Sequence, residues 1–281
     1  MTLCQRTTCR RARIAFALVL VLAPACSCGP PIEPAPEDIK GLAHWFWFNY
    51  LTADDAALAD AVAKLHGAAG YDGFTEPKRG LLDDLTRDEL APVEMSDRDP
   101  KPAQGMYLID LFDCTLAKLE PILYDLDQGS KYPEIYLTFT RTYTSDIEAY
   151  KSRATNIATW DMYYEAQPMP SARYGVNTKG AIRYLGADPD IELAHGPVIV
   201  QRIYMPTPAH YFDTDANVFD LDFQIELFFE PTPGRVAKFY PFWRHMAFNG
   251  VGASTDDNWI IDQVLDGQVD WDVRTAELCA Q

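Results

Sequence analysis

Phe219-Asp220-Leu221-Asp222-Phe223-Gln224-Ile225-Glu226-Leu227-Phe228-Phe229-Glu230 is the stretch whose reading decides the fold. Strand side chains alternate between faces, so the odd positions form an apolar row and the even positions a row that is acidic except at Gln224 and Phe228. A helix would scatter both rows around its axis. Pro231-Thr232-Pro233-Gly234 then breaks the chain, and a second aromatic run extends from Val236 to Phe248. The pattern predicts a long β-hairpin in an antiparallel sheet with one face wet. On this reading the acidic row is the outer surface, and Phe223, Ile225 and Leu227 face inward.

Further strands precede the hairpin. Met106 to Phe112 is a short apolar strand, and Tyr136 to Thr144 is rich in Thr and aromatics. Ala158 to Ala166 and Tyr174 to Tyr184 alternate, and Val198 to Met205 is apolar on both faces except at Gln201 and Arg202, as a central strand would be. Between the first two, Thr115 caps a helix carrying Leu116, Leu119, Leu123 and Leu126, kinked at Pro121 and ended at Gly129. After the hairpin, Ser254-Thr255-Asp256-Asp257 starts a helix with Trp259, Ile260, Ile261, Val264 and Leu265, which Gly267 interrupts. Trp271 to Cys279 forms a shorter helical tail.

Upstream, residues 39–90 read as a small helical region, with a helix start at Thr52-Ala53-Asp54-Asp55 and an end at Gly67. Its aromatic patch, His44-Trp45-Phe46-Trp47-Phe48-Asn49-Tyr50, is expected to dock against the main domain, because aromatics dominate ordinary cores. Residues 91–105, with Pro92, Pro100 and Pro102, read as a linker, which leaves 106–281 as the main domain.

The N-terminus has the order of an export signal. Arg6, Arg10, Arg11 and Arg13 precede the apolar run Ile14 to Leu22, which is too short to span a bilayer, and small residues lead to Cys26. Residues 1–25 are therefore expected to be removed. Leu22-Ala23-Pro24-Ala25-Cys26 resembles a bacterial lipobox, with the leucine one place further from the cysteine than usual; Ala23-Pro24-Ala25 alone would serve ordinary secretion. The Pro-rich residues 26–38 suit a tether between a lipidated Cys26 and a folded domain. The expected location is the bacterial cell envelope, in the periplasm or at the outer membrane, with the membrane reached through that anchor only; secretion is the alternative.

Of the six cysteines, only Cys114 and Cys279 lie in the folded region, where an oxidising compartment would let them pair; two separate buried thiols is the alternative. The formal net charge is −17, and all 41 acids lie beyond the first 25 residues. A chain so acidic repels phosphate backbones, so no nucleic-acid partner is expected.

The order strand, helical segment, about six to seven strands and C-terminal helix resembles the START-like helix-grip superfamily, also called SRPBCC or Bet v 1-like. The residues that carry the resemblance are the alternating runs 158–166, 174–184 and 219–229 and the helix 256–265. It implies an α+β fold in which a curved antiparallel β-sheet grips a C-terminal helix around an apolar cavity. It further implies a lipid or hydrophobic small molecule as partner more often than catalysis. The break at Gly267 would make the grip shorter than usual.

The expected lining is Tyr143, Trp160, Tyr184, Tyr204, Phe223 and Phe239, the aromatics within the strands. Arg183, Arg202 and Arg244 sit in strand-like runs, where a buried guanidinium needs a partner: a ligand anion, or one of the many acids. Arg202 and Arg244 are carried forward as ligand contacts.

Chemistry of other kinds finds little support. Asp213-Thr214-Asp215-Ala216-Asn217 opens like a calcium loop, but Val218 and Gln224 stand where its Gly and bidentate Glu belong, so a solvated acidic turn and no metal is expected. No histidine pair has zinc-hydrolase spacing, and there is no nucleotide loop and no G-x-S-x-G, so neither a cofactor nor a catalytic residue is assigned. An enzyme of the same fold would rely on His245 or His210 with an acid. A partner-binding protein would instead have a solid core and an exposed apolar patch at Trp45–Tyr50.

Overall fold

A computed structural model describes residues 32–168, 172–186, 193–213, 217–248, 251–252 and 258–281. The expected signal 1–25 and Cys26 lie outside them, as do Thr214, Asp215 and Ala216 of the acidic turn.

Two helices come first. α1 (Ile39–Asn49) starts where the Asp38 carboxylate accepts the Gly41 amide at 2.9 Å, and α2 (Asp55–Ala69) where Asp54 accepts the Ala57 amide at 2.8 Å. Asp54, two residues beyond the expected Thr52, is the cap, and α2 runs past Gly67 to Gly70, whose φ of +68° ends it. β1 (Lys78–Leu81) and β2 (Gln104–Asp113) follow, joined by a segment with a 3-10 turn at Asp88–Val93. This segment includes the expected linker, yet Val93, Met95 and Ala103 are buried in the core. α3 (Leu116–Leu123) is capped by Thr115 as expected, with Pro121 inside it, and α4 (Gln128–Lys131) is a separate turn.

β3 (Thr138–Tyr143), α5 (Ile147–Lys151), β4 (Ile157–Ala166), β5 (Tyr174–Leu185), β6 (Val198–Tyr204) and the two-residue β7 (His210–Tyr211) come next. The hairpin is β8 (Val218–Thr232) and β9 (Arg235–Phe248), followed by β10 (Val251–Gly252) and α6 (Asn258–Ala280). All pairings are antiparallel. The main sheet order is β1-β2-β9-β8-β6-β5-β4-β3, open at both ends, with β10 and β7 extending β9 and β5. The sheet thus has ten strands where six to seven were expected. β1, Lys-Arg-Gly-Leu, is an edge strand with almost no side-chain alternation, so only its backbone pairing reveals it.

The two faces of β8 are occupied the other way round from the sequence reading. Leu221, Phe223, Ile225, Leu227 and Phe229 pack with Leu42, Phe46, Trp47, Leu58 and Leu65 of α1 and α2 in one cluster. Trp47 meets Phe223 edge-on with ring centroids 5.6 Å apart, and Phe46 meets Phe239 at 6.5 Å. The N-terminal helices, not the C-terminal one, cover the apolar row. The aromatic patch docks as expected, with Trp45, Phe46, Trp47 and Tyr50 buried and Phe48 exposed. A bulge between Phe219 and Leu221 turns Phe219 to the opposite face, where its ring lies 5.3 Å from Tyr174.

The even row, Asp222, Gln224, Glu226 and Phe228, lies beneath α6. On this face Met106, Leu108, Tyr240 and Phe242 pack against Leu265 of α6, and Phe228 packs against Leu116 and Cys279. An acidic row read as a solvated exterior is therefore an interior wall. Both faces of the sheet are covered because the chain has a helical layer on each side.

α6 runs unbroken through Gly267. A glycine weakens a helix interior by about 0.5–1 kcal/mol relative to alanine without ending it. A Cβ at Gly267 would meet nothing within 4 Å. Gly267→Ala is thus expected to raise stability by about 0.5–1 kcal/mol, read as a shift of the urea midpoint at constant slope.

Candidate functional site

Between α6 and the polar face lies a cavity of about 590 Å³, within the range of small-molecule sites. Its walls come from α3, β3, β4, β5, β6, β8, β9 and α6, and the segment before β3 supplies Ile135 and Tyr136. Tyr136, Met162, Tyr164, Tyr174, Ile203 and Trp271 give it apolar surface, while Arg141, Thr178, Gln201, Gln224, Glu226 and Arg244 are its inward polar groups. Glu134, Asp266 and Asp270 also line it, and these are exposed to water.

Cross-strand register assembles the polar groups. Gln201 on β6 stands opposite Glu226 on β8, and Asp222 opposite Arg244 on β9. The Gln201 amide donates to the Glu226 carboxylate. Burial pushes the Glu226 carboxyl up, partly offset by the Lys238 charge and the Gln201 hydrogen bond. Arg244 donates through Nε and Nη2 to the two Asp222 oxygens at 3.0 and 3.1 Å. Burial works against the Arg244 charge, but Asp222 outweighs it and the net direction is up. Tyr240 donates to Gln224 at 2.8 Å, and Gln224 donates to Asp222, which closes a chain of hydrogen bonds along the wall. Burial pushes the Tyr136 and Tyr174 hydroxyls up to about 12, so both remain neutral donors at ordinary pH.

Beside the cavity, Lys238 is fully buried and donates to Asp272 of α6 at 2.9 Å, with Asp110 directly across from it on β2. Burial pushes the Asp272 carboxyl up to about 8; Asp110 adds to this and Lys238 opposes it. The folded state therefore favours neutral Asp272. The stability this contributes is complete below the ordinary carboxylate value near pH 4 and falls as pH rises toward about 8. Melting temperature is accordingly expected to decline across that window, and more steeply in the wild type than in Asp272→Asn. Parallel slopes in the two proteins would contradict the assignment.

The expected ligand residues separate into three groups. Arg244 lines the cavity. Tyr143, Trp160 and Tyr184 lie on the cavity side of the sheet, but in the filled cluster around α3 and α5. There Tyr143 donates to the Tyr124 carbonyl, and the Arg153 guanidinium sits 3.5 Å from the Tyr184 ring centre. Arg202, Tyr204, Phe223 and Phe239 belong to the opposite face, and none of them lines this cavity. Phe223, Phe239 and Tyr204 pack with the α1–α2 cluster. Arg202 donates to the carbonyls of Trp47 and Pro92 at 3.0 and 3.1 Å. Arg183 on β5 likewise holds the carbonyls of Tyr50 and Ala53 at 2.6 and 2.9 Å and the Asp55 carboxylate. These two arginines anchor the N-terminal helices.

His245 pairs with Asp220 at 2.6 Å and His210 is exposed; neither lines the cavity. Among the described residues no group of three or more His, Cys, Asp or Glu side chains could hold a metal ion. No described helix is long and apolar enough to cross a membrane. Cys114 and Cys279 are bonded, with Cα atoms 5.4 Å apart. The sequence reading missed Arg141, Thr178, Gln201, Gln224 and Glu226 as lining. Its one available signal was Gln201, a polar residue inside a strand otherwise suited to burial on both faces.

An open antiparallel sheet with a long C-terminal helix across one face and a cavity between them is a helix-grip architecture. No protein-family model matches the chain, and no curated protein does. Solved structures give weak likenesses. Human STARD10 has a TM-score of 0.43 at 14% identity, covering 74% of this chain and 71% of that one. A STAR-related lipid transfer protein from Xanthomonas axonopodis has 0.42 at 11%, covering 73% and 94%. The Zhui aromatase/cyclase from Streptomyces has 0.34 at 9%, covering 63% and 91%. The architecture is assigned from this chain's own sheet order and α6.

Proposed function

We propose that the chain binds a hydrophobic small molecule or lipid between the sheet and α6 without transforming it. The observation that carries this reading is the cavity of about 590 Å³. A space of this size, open on one side to water and with a mixed apolar and polar lining, has the dimensions and chemistry of a small-molecule site. The N-terminal sequence supports a bacterial envelope location through a lipid on Cys26, with secretion as the alternative. Native mass spectrometry of envelope-purified protein tests the binding reading. A discrete excess mass that solvent extraction removes is expected; bare protein with a solid core in its crystal structure overturns it. Cys26→Ser is expected to leave the membrane fraction, and unchanged retention overturns the anchor.

One observation favours a second reading, a cavity enzyme such as a cyclase or hydrolase. Glu226 is a buried carboxyl with a raised pKa on the cavity wall, as a general acid would be. Turnover of an extracted ligand that is lost in Glu226→Gln would establish this reading. Recovery of the ligand unchanged after incubation would reject it.

A further inference from the structure

One wall of the cavity holds a buried cation that no carboxylate among the described residues contacts. Arg141 on β3 is only 8% exposed. Its Nη1 donates to the carbonyls of Leu123 and Asp125 at 2.6 and 3.3 Å, and its Nη2 to the Gln128 side-chain oxygen at 3.1 Å. All these acceptors are neutral, and Nε has no partner among the described residues. The nearby Asp125 carboxylate is held by Lys131 at 3.0 Å. Among the other arginines buried in the sheet, Arg244 and Arg183 meet carboxylates, while Arg202, like Arg141, has carbonyl acceptors and lies over aromatic rings, those of Tyr50 and Trp47. Arg141 lies over the Trp160 ring at 4.8 Å, and burial lowers its pKa as it does that of Arg202; of the two, Arg141 is the one that lines the cavity.

Register adds a second unmet group on the same wall. Arg141 pairs with Met162 on β4, and Met162 pairs with Thr178 on β5, so the three side chains stand in a row on one face. Thr178 lines the cavity, and its hydroxyl, itself buried, has no hydrogen-bond partner among the described residues. A native fold leaves few buried polar atoms unmet without a reason. Here a cationic donor and a hydroxyl donor share one cavity wall.

We infer that this wall is an anion subsite and that the ligand is an amphiphilic carboxylic acid, its carboxylate taken by Arg141 and Thr178. The inference rests on the cavity-binding reading above and names its ligand class. The apolar remainder of such a ligand has Tyr136, Tyr164, Ile203 and Met246 to lie against. Glu226 also lines the cavity, and burial raises its carboxyl pKa, which works against a second negative charge there. Glu134, Asp266 and Asp270 stand in water, where their charges are screened.

Calorimetric titration of the full chain with hexadecanoic acid, its methyl ester and hexadecan-1-ol tests this inference. A charge-assisted hydrogen bond at a buried site makes the acid roughly tenfold to a hundredfold tighter than the ester or the alcohol. Arg141→Gln is expected to abolish that preference. Because Arg141 also holds the end of α3, Thr178→Val is the second variant: its hydroxyl has no partner to lose, so the melting temperature holds while acid affinity falls about threefold to tenfold. Ester and alcohol binding as tightly as the acid overturns the carboxylate inference and leaves the cavity reading standing. If none of the three binds and the purified protein has a bare mass, both are overturned.

Discussion

Reducing the Cys114–Cys279 disulfide, or replacing Cys279 with Ala, is expected to lower the free energy of unfolding by about 3–5 kcal/mol. The bond joins residues 165 apart in sequence and connects the last turn of α6 to the junction of β2 and α3. A closure of that length removes much of the unfolded chain's freedom. Chain-entropy estimates for long loops approach the upper end of that range. The bond also has a local partner, because Lys118 Nζ donates to the Cys279 carbonyl at 2.5 Å. Together they fix the C-terminal end of α6, whose earlier turns carry the cavity residues Val264, Gly267 and Trp271. Urea titrations with and without reductant read the effect as a lowered midpoint. A midpoint shift equivalent to less than about 1 kcal/mol would mean that packing alone holds α6 in place.

Lys238→Ala is expected to cost about 1–3 kcal/mol, the range for leaving buried polar groups without their partner, since burial favours the neutral form of Asp272. Lys238 and Asp272 are both buried, and Asp110 shares their pocket. Without the ammonium, two acids are left beneath α6 with no cation in contact. The cost belongs to the acids left behind and not to the intrinsic worth of the bridge. Lys238→Met combined with Asp272→Leu should therefore recover most of the loss, since apolar replacement of a whole buried pair is often neutral. Thermal melts of the two variants distinguish these effects. A double variant as unstable as Lys238→Ala would contradict the account.

Much of the architecture was legible in the strand periodicity. β4, β5 and β8 show it as alternation, and β2, β6 and β9 as apolar or aromatic runs, as strands covered on both faces do. The facing of β8 was not legible. Alternation shows that Phe223, Ile225 and Leu227 share a side, but not which helical layer covers it; α1 and α2 do. Asp222, Gln224 and Glu226 looked like a solvent-exposed row because acids are usually exposed. Their burial depends on Arg244, Gln201 and Tyr240, which arrive from other strands through register. Arg141 was invisible for the same reason: its missing carboxylate is a fact of three dimensions. Gly267 misled because it carries a propensity cost that the rest of α6 overrides.

The central claim is that the polar face under α6, and not the apolar face under α1 and α2, receives the ligand. Photo-crosslinking with a diazirine-bearing fatty acid, followed by peptide mass mapping, tests it most directly. Labels are predicted on peptides from β4, β5, β6 and α6, near Met162, Thr178, Ile203 and Val264. Labels confined to α1 and α2, or spread evenly over exposed apolar side chains such as Phe48, would contradict it.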